Sequence, residues 1–211
     1  MVMVASKPRK SRRRERLVES KTEAALRKRL TEFTGLCLFT LAVLIGLALL
    51  SYDPGDPSFF VNTDAQANNQ LGIIGAYGAD TLHRVLGLGA WSLVAMAAGW
   101  GIRVMAHRAS RKMLPRLIAA PFVVVISAIY LATHVPPASW QPLYGLGGML
   151  GDSVLEAGLP LIPMALDMAL KTVTAVGFVL LIILFGLAVG TTRPELAAVL
   201  RIMKRGLIWL I

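Results

Sequence analysis

The chain has 211 residues, is 55% hydrophobic and 16% charged, and carries a formal charge of +10. A water-soluble domain of this length would hold more charge and fewer unbroken apolar runs, so a soluble fold is excluded. One cysteine, Cys37, leaves no internal disulfide, and the three histidines, His83, His107 and His134, lie in separate segments without metal-ligand spacing.

Residues 1–32 hold eleven basic and four acidic side chains, among them Arg12, Arg13 and Arg14. Such a block cannot bury itself and is expected to be disordered in water. It suits contact with anionic lipid headgroups, weak contact with DNA phosphates, or a plain topogenic role. Ser20 and Glu23 fit a capping box, which predicts a helix from about Lys21 that runs on into the membrane.

The first span is read over 33–50, eighteen residues without a charge. That is enough to cross a hydrocarbon core of roughly 30 Å. It is followed by a stretch, 51–80, with no Lys or Arg and with four acids, Asp53, Asp56, Asp64 and Asp80. Such a segment between two spans reads as a loop on the non-cytoplasmic side. Its end places Gly72, Gly75, Ala76, Gly78 and Ala79 on helical spacing, a surface on which another helix can pack closely. Asp80 and Arg84 are four apart and positioned to pair.

The second span, 85–104, is rich in small residues, with Ala95/Gly99 and Ala97/Gly101 as small-x-x-x-small pairs. Trp91 and Trp100 near its ends suit the two interfaces. The loop 103–116 is purely basic, with Arg103, Arg108, Arg111, Lys112 and Arg116, and belongs to the cytoplasm. The third span is read over 117–135, with Pro121 in its first turn.

The second outer segment runs to about residue 170, free of basic residues. It carries Gly147, Gly148 and Gly151, reads as a loop with one or two short interfacial helices, and leaves a re-entrant hairpin as the alternative. Trp140 and Tyr144 are its expected interfacial anchors. The fourth span, 173–190, contains Gly186 and Gly190 as a G-x-x-x-G. Residues 191–211 read as an amphipathic helix on the cytoplasmic surface, with Arg201 and Arg205 on its polar face, or as the start of a fifth span.

Twenty of the 22 basic residues then fall on one side, which places both termini in the cytoplasm. The fold class is an all-α membrane protein: a basic tail (1–32), a four-span domain (33–190) and a cytoplasmic segment (191–211). The spans show no central ionisable residue, no broken helix outside the second outer segment and no nucleotide-binding motif, so no enzyme, cofactor or metal site is expected. Lipid headgroups are the expected contacts of Arg12, Arg13, Arg14, Arg108, Arg111, Lys112, Arg201 and Arg205. Helix packing or partner contact is expected of Gly72, Gly75, Ala76, Ala79, Asp80, Ala95, Gly99, Gly147, Gly148, Gly151, Gly186 and Gly190.

The basic tail, the four spans, and an outer loop reading D-P-x-D-P-S with Asn69, Gly72 and Gly75-Ala76-x-x-Ala79-Asp80 resemble the amino-terminal membrane domain of the FtsK/SpoIIIE family of bacterial DNA translocases. Gly147-Gly148-x-x-Gly151 is similar to that family as well. The resemblance implies a septal anchor in the bacterial inner membrane that contacts division proteins and supports a hexamer. The ATP- and Mg-dependent DNA motor of that family, which couples chromosome segregation to division, would be missing from this chain. The alternative is a small, complete multipass protein such as a transporter or channel subunit.

Overall fold

A computed structural model describes residues 9–107, 114–138, 140, 142, 144–191 and 201. Every regular element among them is helical. In chain order they are α1 (Arg9–Leu50), α2 (Gly72–Leu86), a 3-10 turn (Gly87–Ala90), α3 (Trp91–Met105), α4 (Leu114–Ala132), α5 (Gly148–Gly158), a second 3-10 turn (Leu159–Leu161) and α6 (Leu166–Val189). Four helical stretches are long and apolar enough to cross a bilayer: 22–50, 72–105, 114–132 and 166–189.

Helix α1 starts at Arg9, not near Lys21. After Pro8 the sequence has neither Pro nor Gly until Gly35, and its Arg, Lys, Glu, Leu and Ala residues are strong helix formers. Ser20 is therefore an interior residue and no cap. The helix ends where Ser51 turns its hydroxyl back onto the Leu47 carbonyl at 2.7 Å and Pro54 forbids continuation.

The second span departs most from expectation. Helical structure begins at Gly72, inside the stretch read as loop, and is interrupted at 87–90 by the 3-10 turn. A straight helix over the thirty-four residues of 72–105 would be about 51 Å long, beyond a core of roughly 30 Å. Its 72–84 end carries Asp80, His83 and Arg84, so this is the end that leaves the hydrocarbon. The span is thus a broken helix, which the sequence reading did not foresee. Helix α4 begins three residues earlier than read, which moves Pro121 from a first turn to the helix interior. Helix α6 begins at Leu166, where Asp167 and Lys171 pair at 2.8 Å on its exposed first turns.

Helix α1 packs chiefly on α3, α4 on α6, and α5 on α2 and α4. The α1–α3 crossing is close. A Cβ on Gly35 would stand 2.8 Å from the Gly101 carbonyl, and one on Gly101 would stand 2.7 Å from the Phe39 backbone nitrogen. The core is made of small residues in two clusters. One joins Ala48, Leu49, Ala79, Leu86 and Ala90; the other joins Met96, Ala119, Val123, Ala188 and Val189. Large apolar side chains such as Phe33, Leu36, Phe122, Val179 and Leu187 point outward. Lipid as solvent removes the penalty on that exposure, and close packing of small residues supplies the helix contacts.

Candidate functional site

The end of the bundle formed by residues 51–71 and 133–165 holds a buried polar junction. It is built from the exit of α1 upward. The last carbonyls of a helix lack intrahelical partners. Here Asn69 supplies them: its side-chain amide donates to Ala48 O at 2.9 Å and Ser51 O at 3.1 Å. Its Oδ1 accepts the Leu71 N–H at 3.1 Å, at the start of α2. Asp56 holds Asn69 in place, since its carboxylate accepts the backbone N–H groups of Asn68 at 2.7 Å and Asn69 at 3.0 Å. Asp53 accepts from Gly55 N–H and the Asn68 amide, and these two bonds hold its pKa below the usual carboxylate value, the Gly55 bond foremost. Gly75 lies against Asn69, and a Cβ there would overlap Asn69 Oδ1. One hydrogen-bonded device thus uses Asp53, Asp56, Asn69 and Gly75.

One turn further along α2, Asp80 is almost fully buried, at 2% exposure. Arg84 Nε donates to both of its oxygens at 2.9 and 3.0 Å, and the Tyr52 hydroxyl donates to Oδ1 at 3.0 Å. The Arg84 guanidinium also sits 5.1 Å from the centre of the Phe60 ring. Tyr52 stacks on His83 with centroids 4.3 Å apart and planes 13° from parallel. Trp140 covers the other face of His83 at 5.2 Å, and the Tyr144 hydroxyl lies 3.2 Å from His83 Nδ1. Trp140 in turn donates its indole N–H to Tyr144 O at 2.7 Å, and Asp152 accepts the Gly145 N–H at 2.6 Å. Burial pushes the Tyr52 phenol well above the ordinary tyrosine range, and neighbouring Tyr144 and the Asp80 charge push the same way. Burial likewise raises Tyr144.

Beneath the aromatic stack the 3-10 turn of the second span touches the second loop backbone to backbone. Gly87 and Gly148 both have left-handed φ, 57° and 66°. A Cβ on Gly87 would overlap Leu146 O, and one on Gly148 would overlap Gly87 N. Leu88 N–H donates to Leu146 O at 2.9 Å across this contact. Gly147 and Gly151 lie on Ala128 and Ala132 of α4. The break at 87–90 therefore has a cause: the chain gives up α-helical bonds so that Leu88 can bond the second loop.

The expected packing residues are distributed over several contacts. Gly75, Ala76, Ala79 and Asp80 form the buried face of α2. Gly147, Gly148 and Gly151 seat the second loop. Gly99 meets Val189 of α6, where a Cβ would stand 3.0 Å from Val189 Cγ1. Gly72 has open space at its Cβ position and a φ of 63°. Gly190 is the C-cap of α6, its φ is 77°, and its N–H donates to Gly186 O at 2.9 Å; the two glycines thus close one helix end. Ala95 and Gly186 line a groove between α3, α4 and α6.

Trp140 and Tyr144, expected as interfacial anchors, pack on His83. Trp100 donates its indole N–H to Ala188 O at 2.7 Å, so it ties α3 to α6. His83 and Gly87 were not singled out by sequence, and Asp56 was noted only as a loop acid and within the D-P-x-D-P-S motif. The usable signals were the aromatic residues of two distant loops and the paired glycines Gly87 and Gly148. Among the described residues no three His, Cys, Asp or Glu side chains converge on a metal-binding point. The basic positions 108, 111, 112 and 205 lie outside the described residues, and so does the helix expected over 191–211, save Thr191 and Arg201. Arg12, Arg13 and Arg14 belong to the helical backbone of α1.

Comparison with known proteins places this architecture. A family model described as the 4TM region of DNA translocase FtsK/SpoIIIE matches residues 27–198. The chain belongs to the FtsK/SpoIIIE family. Its match lies on the four-span membrane region, so it is a multipass membrane protein of a cell-division DNA translocase family. It is 36% identical over 132 residues to the DNA translocase FtsK of Bradyrhizobium diazoefficiens, covering 63% of this chain and 16% of the relative. It is 37% identical over 129 residues to the FtsK of Caulobacter vibrioides, covering 59% and 16%. To the FtsK of Azospirillum brasilense it is 31% identical over 194 residues, covering 88% and 30%. The chain thus spans about one sixth of the length of the first two of these FtsK relatives. No solved structure matches it.

Proposed function

We propose that these residues are the septum-targeting membrane anchor of an FtsK-type DNA translocase that couples chromosome segregation to division. The ATP-driven motor lies outside the 211 residues, and both termini face the cytoplasm. The observation that carries the reading is the family match itself, which falls on the membrane region over residues 27–198. The charge pattern supports the orientation, because the acidic loop at 51–80 lacks any Lys or Arg while 103–116 lacks any acid. The buried junction supports the anchoring role, because it holds the two outer loops in one fixed surface that a partner in the division apparatus can read. The same surface would serve assembly of a hexamer.

Gly78 gives the test. It is exposed on α2, and a side chain there meets nothing within 4 Å. Gly78→Leu should leave the fold intact and weaken septal recruitment of a fluorescent fusion, or reduce the oligomer size in detergent. Unchanged localisation together with unchanged oligomer size would count against the outer surface as the contact. A wild-type fusion spread evenly over the membrane would count against septal targeting as a whole.

A further inference from the structure

A groove of about 490 Å³ opens between α3, α4 and α6, and nothing so far described uses it. Leu88, Trp91, Leu131, Leu181 and Phe185 give it almost wholly apolar walls. Its volume lies within the ~300–1,000 Å³ usual for small-ligand sites. The groove runs along the membrane-crossing helices, where lipid is the solvent, so an acyl chain is the hydrocarbon at hand.

One end has a chemical mark. Thr191 lines the groove there, and the hydroxyl of Thr191 donates to Gly186 O at 3.0 Å. The adjoining residue, Gly190, has the Arg116 guanidinium where its side chain would be. Arg116 is half-buried, and no acidic side chain among the described residues pairs with it. A guanidinium with five donors and no carboxylate partner, set at the end of an apolar groove, complements a phosphate with a hydrocarbon tail. We propose that the groove is an anionic-phospholipid site. One acyl chain lies between α3, α4 and α6, and the headgroup phosphate meets Arg116 beside the α6 C-cap.

The test uses the full chain in phosphatidylcholine nanodiscs, which present both leaflets alike and so do not depend on orientation or septal role. The discs are doped with acyl-brominated phosphatidylglycerol or with acyl-brominated phosphatidylcholine at equal bromine content. Trp91→Phe isolates the groove's share of tryptophan quenching. Stronger Trp91-dependent quenching by the phosphatidylglycerol is expected, with loss of that preference in Arg116→Gln and its retention in Arg116→Lys. Ala95→Leu, which fills the groove, should abolish Trp91-dependent quenching by both lipids, and circular dichroism checks that each variant folds. Equal quenching by the two headgroups, or a preference that survives Arg116→Gln, would overturn the proposal. So would a groove closed to both lipids in which Ser92→Cys, in a Cys37→Ser background, cross-links two copies, since the occupant would then be a second chain.

Discussion

The side-chain amide of Asn69 donates to the carbonyl of Ala48 at 2.9 Å, so a residue of the first loop closes the end of the first membrane helix. Asn69→Ala removes that bond, the one to Ser51 and the one its Oδ1 accepts from the Leu71 N–H. With net values near 1 kcal/mol for each neutral bond, a loss of about 3 kcal/mol is expected. Asp56→Ala should cost about as much or more, because its two bonds are charge-assisted and it is the support that fixes Asn69. Thermal unfolding in detergent measures both. A double variant no worse than Asp56→Ala alone would show that the two act as one device.

Arg84 and Asp80 form a pair in which the carboxylate is buried and the guanidinium about one quarter exposed. Removing the cation should therefore hurt more than removing both groups. Arg84→Met strands a buried charge, at a cost approaching the ~3–5 kcal/mol of broken buried pairs. Adding Asp80→Asn should recover part of that loss. A double-mutant cycle on thermal stability checks the sign, and additive losses would contradict it.

Gly87 and Gly148 should each reject alanine severely. Both have positive φ, and a Cβ on either would overlap backbone of the facing loop. Strain of about 1–3 kcal/mol is expected from the dihedral alone, with the overlap added. Gly78→Ala, with open space and ordinary helical backbone, should instead stabilise by about 0.5–1 kcal/mol. Expression level and melting temperature of the three variants test the contrast.

The pH response follows from Tyr52. Its folded pKa is raised by burial, by Tyr144 and by the Asp80 charge. The phenol is protonated in both states below about pH 10, the unfolded value. Above that pH the unfolded chain ionises first, so its stabilising contribution is lost as the pH rises. Melting temperature should fall across that alkaline window and fall less steeply in Tyr52→Phe. Parallel curves for the two proteins would refute the assignment.

Much of the architecture is legible in the sequence because membrane spans are local and compositional. An uncharged run such as 33–50 announces itself, and the Asp80–Arg84 pair follows from helical spacing alone. The start of α2 is only half legible: the helical spacing of Gly72, Gly75 and Ala79 shows in the sequence, but not what makes these residues helical. Gly72, Gly75 and Gly78 are poor helix formers, and the helix exists there because its small face fits Asn69 and α5. The break at 87–90 is hidden for the same reason, since its cause is Leu146, some sixty residues away. His83 looks like a scattered histidine until Tyr52, Trp140 and Tyr144 are brought around it. What depends on contacts between distant loops cannot be read from spacing within either loop.

The stack of Tyr52, His83 and Trp140 also equips the molecule with an optical gauge. The Trp140 indole is half-buried, covered by His83 and bonded to Tyr144 O, and opening the stack to water should shift its emission to the red. With the other three tryptophans replaced by Phe, Trp140 therefore reports whether the second outer loop stays joined to α2. For a protein shown by another assay to bind, a red shift on mixing would signal that binding pries the junction apart, and constant emission would signal that the surface is read as it stands.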